Sequence, residues 1–201
     1  MSNKRPQVLG NLEKGRVFII SAPAGTGKTT LAHMLVDEFP NVVESVSYTT
    51  RRPREDEVDG VHYRFISREE FEQKIAEGEF LEYADIYGDL YGTSREWVES
   101  RLEKGYHVVL VIDTQGALKL KERYPAVYIF ISPPSFEELR RRLLERRTES
   151  DEVIEKRLAW ARKEVEKSHE YDYRLVNNDL QTAYQVLRSI IIAEEHKVNI
   201  Q

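Results

Sequence analysis

Residues 17–30 read VFIISAPAGTGKTT, an apolar run followed by a loop that ends in Gly-Lys-Thr-Thr. The apolar run predicts a buried β-strand, and the spacing of Leu31, Met34 and Leu35 predicts a helix after the loop. A strand, such a loop and a helix form a phosphate-binding loop (P-loop), in which backbone N–H groups and the helix N-terminus face one polyphosphate. This segment therefore predicts a site for a nucleoside triphosphate.

The residues that close the loop have distinct predicted tasks. Lys28 directs its charge at the phosphates, and Thr29 places its hydroxyl on the Mg²⁺ that the phosphates carry. The pattern G-x-x-x-x-G-K-[ST] asks for glycine where this chain has Ala22, which fits only if the backbone φ there is negative. The residues predicted to bind the nucleotide are Ala22, Pro23, Ala24, Gly25, Thr26, Gly27, Lys28, Thr29 and Thr30.

Length and composition predict one α/β domain over residues 1–201, with 40% hydrophobic and 32% charged residues. No apolar run approaches the roughly 20 residues needed to cross a bilayer, and the N-terminal segment lacks the apolar stretch of a secretory signal. Cysteine is absent, so neither a disulfide framework nor a thiolate site is expected. We therefore expect a cytoplasmic protein with no membrane partner.

The charge pattern bears on the kind of ligand. A net charge of −5 argues against a protein that binds nucleic acid by neutralising many phosphates. Arginines cluster at 51–54 and 140–147, which favours local anion sites over a basic face. The five histidines lack metal-ligand spacing, so we expect no structural zinc site, and no motif indicates a protein partner.

Apolar runs and helical patterns alternate along the chain, which is typical of a parallel sheet covered on both faces. Residues 17–20, 108–112 and 127–131 form continuous apolar runs, and 42–46 and 174–176 are weaker candidates. The pattern predicts a parallel core of about five strands.

Helix starts are predicted by capping boxes, in which a hydroxyl residue is followed three positions later by a carboxylate. The three pairs are Ser67/Glu70, Thr93/Glu96 and Ser135/Glu138. Residues 151–170 and 180–196 carry helical apolar spacing. The stripe predicted to face the core in the last helix is Val186, Leu187, Ile190 and Ile191.

Residues 47–93 interrupt the alternation with short segments rich in tyrosine, such as 62–66 and 80–84. They predict an inserted, mostly antiparallel lobe hinged to a core formed by residues 16–46 and 94–201. Hinged lobes suit enzymes that close on a substrate.

The lobe carries the more specific motif. The run from Ser47 to Arg54 reads SYTTRRPR; it is followed by Glu57, Gly60, Tyr63 and Glu82, and then by the run YGDLYGT over 87–93. In order and spacing, over roughly residues 16–192, the chain resembles the guanylate kinase family.

The resemblance implies a P-loop NTPase-type three-layer core, a GMP-binding lobe over 47–93 and a helical lid over about 135–160. It also implies transfer of the γ-phosphoryl group of ATP to GMP or dGMP, with Mg²⁺. Glu82 then matches the carboxylate that accepts from guanine N1–H and N2, Ser47 the hydroxyl that meets O6, and Thr93 a further base contact. The residues matching the GMP phosphate cage are Arg51, Arg54, Tyr63 and Tyr91.

The remaining implied roles concern catalysis. Asp113 ends the apolar run 108–112, where it would contact the substrate, orient water on Mg²⁺ or hold an arginine. The family often has a second acidic residue where this chain has Val111, and serine where it has Ala24. The catalytic set implied is Lys28, Arg51, Asp113, Arg146 and Arg157, the last two from the lid.

The other arginines of 140–147 are expected in water on an amphipathic helix whose Leu139, Leu143 and Leu144 point inward. The segment 177–179 resembles the family segment near the adenine, where backbone groups contact the base.

Three alternatives stay open. A guanylate-kinase-like module that binds proteins would commonly lack a working P-loop, which this chain keeps. A related kinase could use another acceptor, such as ribose 1,5-bisphosphate or another nucleoside monophosphate, although Ser47 and Glu82 favour guanine. A non-specific triphosphatase would not need the phosphate cage.

Overall fold

The computed structural model describes residues 8–86, 88–145 and 150–198. A short 3₁₀ helix spans Lys167–Glu170. The elements in chain order are β1 (Val17–Ser21), α1 (Lys28–Glu38), β2 (Val42–Glu44), β3 (Tyr48–Thr49), β4 (Arg64–Phe65), α2 (Arg68–Ala76), β5 (Phe80–Ile86), β6 (Asp89–Ser94), α3 (Arg95–Glu103), β7 (His107–Val111), α4 (Thr114–Lys121), β8 (Val127–Ser132), α5 (Phe136–Glu145), α6 (Asp151–Glu166), β9 (Tyr173–Val176) and α7 (Leu180–Glu195).

The central sheet has five parallel strands in the order β2-β7-β1-β8-β9. Side chains of β1 alternate between its faces, so Phe18 and Ile20 pack with α1 and α7, while Val17 and Ile19 pack with α3 and α4. Both faces are therefore covered, which explains why β1 is buried along its whole length. The predicted three-layer α/β core is confirmed.

The second sheet is mixed, in the order β4-β3-β6-β5. Strand β3 pairs with β4 in parallel, and β6 is antiparallel to both β3 and β5. Phe71, Phe80 and Leu90 form its small core with α2. The predicted mixed lobe is thus a packed unit with its own apolar centre.

Two of the three predicted helix caps are confirmed. Ser67 accepts from the Glu70 N–H at α2, and Ser135 accepts from the Glu138 N–H at α5. The prediction for Thr93 was wrong by one residue: Ser94 caps α3 through the Trp97 N–H.

Within the portions of the chain that the structure covers, no helix has both the length and the apolar character needed to span a membrane.

Two apolar residues predicted to face inward are exposed. Leu187 and Ile191, four residues apart, fill the buried side of α7, and Val186 lies about 100° away around the helix with 44% exposure. In α5 the same spacing buries Leu139 and Leu143, and Leu144 is 39% exposed. The predicted stripes were one residue too wide.

A buried hydrogen-bond network fastens the C-terminal end of α7 to the central sheet. The Arg16 N–H donates to His107 Nδ1, so the ring proton is on Nε2, which donates to Glu195 at 2.6 Å. The Gly10 and Asn11 backbone N–H groups and the Asn11 amide also donate to Glu195. Burial raises the pKa of Glu195, but these hydrogen bonds lower it more, to about 2.

We expect Glu195→Gln to lower the free energy of unfolding at pH 7 by about 2 kcal/mol, because an amide cannot satisfy all four donors. A carboxyl group with a depressed folded-state pKa contributes stability above its unfolded value. That contribution fades as the pH falls from about 4.5 towards 2, so the parent and the variant should converge there. Urea unfolding at several pH values measures this, with exposed Glu13→Gln as the control; a constant difference down to pH 2.5 would contradict the account.

Candidate nucleotide-binding site

The P-loop lies between β1 and α1. Gly27, at the N-cap of α1, has φ 93°, a left-handed conformation that favours glycine. No acidic residue lies in the first turn of α1, so its N-terminal N–H groups and the helix dipole meet an anion without repulsion from the helix itself. Lys28 and the exposed Thr29 begin the helix, as the motif predicts.

A buried asparagine supports this loop from the end of β9. Asn177 Nδ2 donates to the Thr26 carbonyl at 2.8 Å, and a Cβ atom at Gly27 would lie 2.7 Å from the same nitrogen. The sequence predicted only backbone contacts for 177–179, so this side-chain role was missed. Its signal was an asparagine directly after a strand, at the edge where the P-loop also lies.

Helix α5 packs on the same loop. A Cβ atom at Gly25 would lie 3.0 Å from Leu143 Cδ2 and 3.4 Å from Leu139 Cδ1. The same two leucines form a small apolar core with Ile154 and Leu158 of α6. The helical hairpin of α5 and α6 therefore rests against the P-loop. Arg157 of α6 is half-buried, and Arg146 lies outside the described residues.

Glu82 lies in the second sheet and is only 4% exposed. Thr93 is its register partner on β6, and the Thr93 hydroxyl donates to Glu82 Oε1 at 2.6 Å. Burial raises the pKa of Glu82 to about 7; the Thr93 bond opposes the rise, and the charge of Asp113 adds to it. This pairing also explains why Thr93 does not cap α3.

Asp113 and Glu82 converge on one backbone position. Asp113 caps α4 by accepting from the Gly116 N–H at 2.8 Å. A Cβ atom at Gly116 would lie 2.6 Å from Glu82 Oε2 and 3.0 Å from Asp113 Oδ1. Burial raises the pKa of Asp113, while the N–H groups of α4 and the nearby Lys28 charge lower it. Gly116 was missed by the sequence analysis, because nothing in the chain shows which residue β5 approaches.

Arg51 is held in place by several contacts. Its Nη2 donates to Glu57 at 2.8 Å, its Nε to the Tyr91 hydroxyl at 3.2 Å and its Nη1 to the Arg52 carbonyl at 2.7 Å. The guanidinium also lies over the Tyr63 ring, 5.4 Å from its centre. Arginine has five N–H donors, so two remain for a bound anion.

The other residues predicted for the phosphate cage, and Ser47 predicted for the base, make different contacts. Tyr63 and Tyr91 meet edge to face, with ring centres 5.9 Å apart, beside Arg51. Arg54 gives its backbone N–H to Glu57 at 2.8 Å, and its side chain is exposed. Ser47 is half-buried, and its carbonyl accepts from the Arg64 N–H.

The donor set fits a magnesium ion delivered by a nucleotide. Among residues 8–86, 88–145 and 150–198, no group of three or more His, Asp or Glu side chains could hold a metal unaided. Mg²⁺ in phosphate sites is bound through substrate oxygens, water and one or two protein oxygens. Thr29 at the start of α1, with Asp113 at the neighbouring strand end, offers that kind of oxygen.

Comparison with known proteins agrees with this geometry. Residues 14–194 match the family model described as "Guanylate kinase". The chain belongs to the guanylate kinase family. It is 60% identical over 190 residues to the guanylate kinase of Protochlamydia amoebophila, covering 94% of this chain and 96% of that relative. It is 52% identical over 185 residues to that of Chlamydia trachomatis serovar D, covering 92% and 90%.

Among solved structures, the chain is similar to the guanylate kinase from Anaplasma phagocytophilum. The TM-score is 0.78 at 38% identity, covering 92% of this chain and 88% of that one. The family resemblance predicted from the motifs of the lobe and the P-loop is confirmed.

We expect Gly116→Ala to weaken GMP binding about tenfold, less than the roughly hundredfold loss that displacing a group by about 1 Å can cause. The new methyl would push the Glu82 carboxylate away from its present position, 2.6 Å from the added atom. ATP affinity should change less, because the atoms nearest to the added methyl belong to Glu82 and Asp113 and none to the P-loop. Equilibrium titration with each nucleotide measures both, with Glu122→Ala at the far end of α4 as the control. Parent-like GMP affinity in Gly116→Ala would contradict the close approach of Glu82 to Gly116.

Proposed function

We propose that the protein is an ATP-dependent GMP kinase that transfers the γ-phosphoryl group of ATP to GMP, giving ADP and GDP. One observation carries the proposal: Asp113 lies within electrostatic reach of both Lys28 in the P-loop and Glu82 in the second sheet. A triphosphate on Lys28 and a base on Glu82 would therefore bind side by side. Membership of the guanylate kinase family agrees with this reaction.

Glu82 suits guanine in particular. Guanine presents the N1–H and N2 amino donors on one edge, and an ionised carboxylate accepts from both. Adenine has no N1–H donor, so it would leave the buried carboxylate with the Thr93 hydroxyl but without a donor from the base, at a cost of about 1–3 kcal/mol or more. We assign Ser47, Thr93 and Asp113 to further base contacts around Glu82.

The GMP phosphate belongs beside Arg51. Its two remaining N–H donors form a planar fork that matches phosphate oxygens. The Tyr63 and Tyr91 hydroxyls line the same place, and the exposed Arg54 can turn towards it. Glu57 fixes the position of the Arg51 side chain, and its hydrogen bond raises the pKa of the Arg51 guanidinium.

Phosphoryl transfer depends on positioning and charge more than on covalent steps by the protein. Lys28 and the N–H groups of the P-loop hold the donor phosphates, and Arg51 orients the acceptor phosphate. We assign Arg157 and Arg146 to charge stabilisation from the lid. Bound Mg²⁺, with Thr29 as a ligand and Asp113 acting through water, would neutralise charge on the phosphates.

We further propose that residues 47–93 and about 135–160 close over the nucleotides as lobe and lid. Two small apolar cores, separate from the central one, support this division. Closure would exclude water and bring Arg51 and Arg157 towards the same phosphoryl group. We also propose that this chemistry takes place in the cytoplasm, as part of purine nucleotide metabolism.

Acceptor specificity tests the proposal. ADP release from ATP and Mg²⁺ is measured with GMP, dGMP, AMP, CMP, UMP or dTMP and without an acceptor. We expect turnover with guanine nucleotides only, because Glu82 accepts from donors that the other bases lack. Turnover with a different base would overturn the role of Glu82, and the absence of turnover with every acceptor would overturn the kinase function.

We expect GMP affinity to rise about tenfold between pH 6 and pH 8. The pKa of Glu82 is raised to about 7 by burial, and only the ionised carboxylate accepts from both guanine donors. Protonation below pH 7 therefore competes with GMP.

Titrating GMP into parent and Glu82→Gln protein across that range checks this. The variant also corrects for the GMP phosphate, which itself titrates near pH 6. Its affinity should be lower and lack the carboxylate's contribution; an identical pH profile in both proteins would contradict the prediction.

A further inference from the structure

Glu164 is a buried acidic residue that the proposed chemistry leaves without a task. It lies on α6 and is 7% exposed. Its Oε1 accepts from the Thr114 hydroxyl at 3.0 Å, and the Thr114 backbone N–H lies near enough to lower the pKa of the carboxyl group. Both groups belong to the first residue of α4, so one side chain ties the lid helix to that helix end.

Stability alone does not account for a carboxylate in this place. Burial raises the pKa of Glu164, so its charged form is costly there, and Lys28 and the Thr114 donors offset only part of the cost. A well-packed apolar residue often stabilises a core as well as a buried charge does. What the carboxylate adds is direction, because its contact with one residue, Thr114, fixes where α6 meets α4.

The same side of α6 carries the lid arginine. Arg157 and Glu164 are seven residues apart, about two helical turns, so they project from the same face about 10 Å apart along the axis. Between them, Leu158 and Ala161 pack towards α5. Helix α6 is thus anchored to α4 by Glu164, near the C-terminal end of α6. Arg157 lies on the same side of α6, about two turns closer to its N-terminus.

The other end of the anchor lies at the acceptor pocket. Thr114 directly follows Asp113, which caps α4 and lies against Gly116 beside Glu82. Lys28 lies near enough that its charge lowers the pKa of both Asp113 and Glu164. The first turn of α4 therefore joins the P-loop, the base pocket and the lid helix.

We propose that Glu164 is a positioning residue, whose contact with Thr114 fixes the end of α6 so that Arg157 reaches the transferred phosphoryl group in a set direction. The inference rests on the proposed GMP kinase activity. Glu164 acts through Arg157, so its loss changes the rate of the bound complex more than the binding of GMP.

Steady-state kinetics of matched variants test this. We expect Glu164→Gln to lower kcat about tenfold, less than the roughly hundredfold loss that a full 1 Å misplacement can cause, with the KM for GMP within about threefold of the parent. Thr114→Val should do the same, and Thr114→Ser, which keeps the hydroxyl, should retain most of kcat. Glu166→Gln, exposed on the same helix, is the control and should match the parent.

A double-mutant cycle with Arg157→Ala separates this role from a general structural one. If Glu164 acts through Arg157, the double variant loses no more than about threefold in kcat beyond Arg157→Ala alone. Losses that multiply, or parent-like kcat in Glu164→Gln, would overturn the inference. Thermal unfolding checks each variant, and if Glu164→Gln does not fold, the Thr114→Val and Thr114→Ser pair carries the same test.

The activity of the parent protein distinguishes failure of the proposed function from failure of this inference. If the parent releases no ADP with GMP, the proposed function fails and the inference fails with it. If the parent is active and Glu164→Gln is unchanged, only the inference fails.

Discussion

Burial of carboxylates at the carboxyl edge of the central sheet is the constraint on which the site depends. Glu82 and Asp113 both lie against Gly116. Glu164 accepts a hydrogen bond from Thr114, two residues before Gly116 at the start of α4. Buried charges of one sign repel each other and are costly unless donors or cations compensate them. Here the N–H groups of α4, the Thr93 hydroxyl and the Lys28 charge provide that compensation.

The arrangement has a functional consequence. Compensation is incomplete, since the pKa of Glu82 remains raised to about 7. A ligand that brings two N–H donors into the pocket would complete it, so under the proposed assignment guanine would relieve a cost that the folded protein already carries. The selectivity for guanine would then follow from the shortage of hydrogen-bond donors to Glu82 in the pocket itself as much as from the shape of the pocket.

The motifs of the chain predicted the fold and named residues, such as Glu82, Thr93 and Asp113, that the structure brings together. The strand and the Gly-Lys-Thr ending placed the P-loop correctly because both depend on residues close together in sequence. Asn177, Gly116 and Glu164 were missed because their contacts join residues 151, 34 and 50 positions apart. No local pattern shows which distant carboxylate or carbonyl such a residue meets.

The errors have similarly physical causes. Thr93 fits a capping box, but it lies within β6, where its buried side chain faces its strand partner Glu82, and the next residue, Ser94, takes the cap. Val186 and Leu144 are apolar at helical spacing, yet in each helix two neighbours at i and i+4 already fill the covered side. Tertiary contacts decided these positions, and helical periodicity alone cannot rank neighbouring apolar residues.

Equilibrium binding of GMP and IMP tests the central claim most directly, because IMP keeps N1–H and O6 and lacks only the N2 amino group. If Glu82 accepts from both guanine donors, IMP should bind at least about tenfold more weakly than GMP, the loss of one hydrogen bond to a charged group. Equal affinity for GMP and IMP would contradict the account.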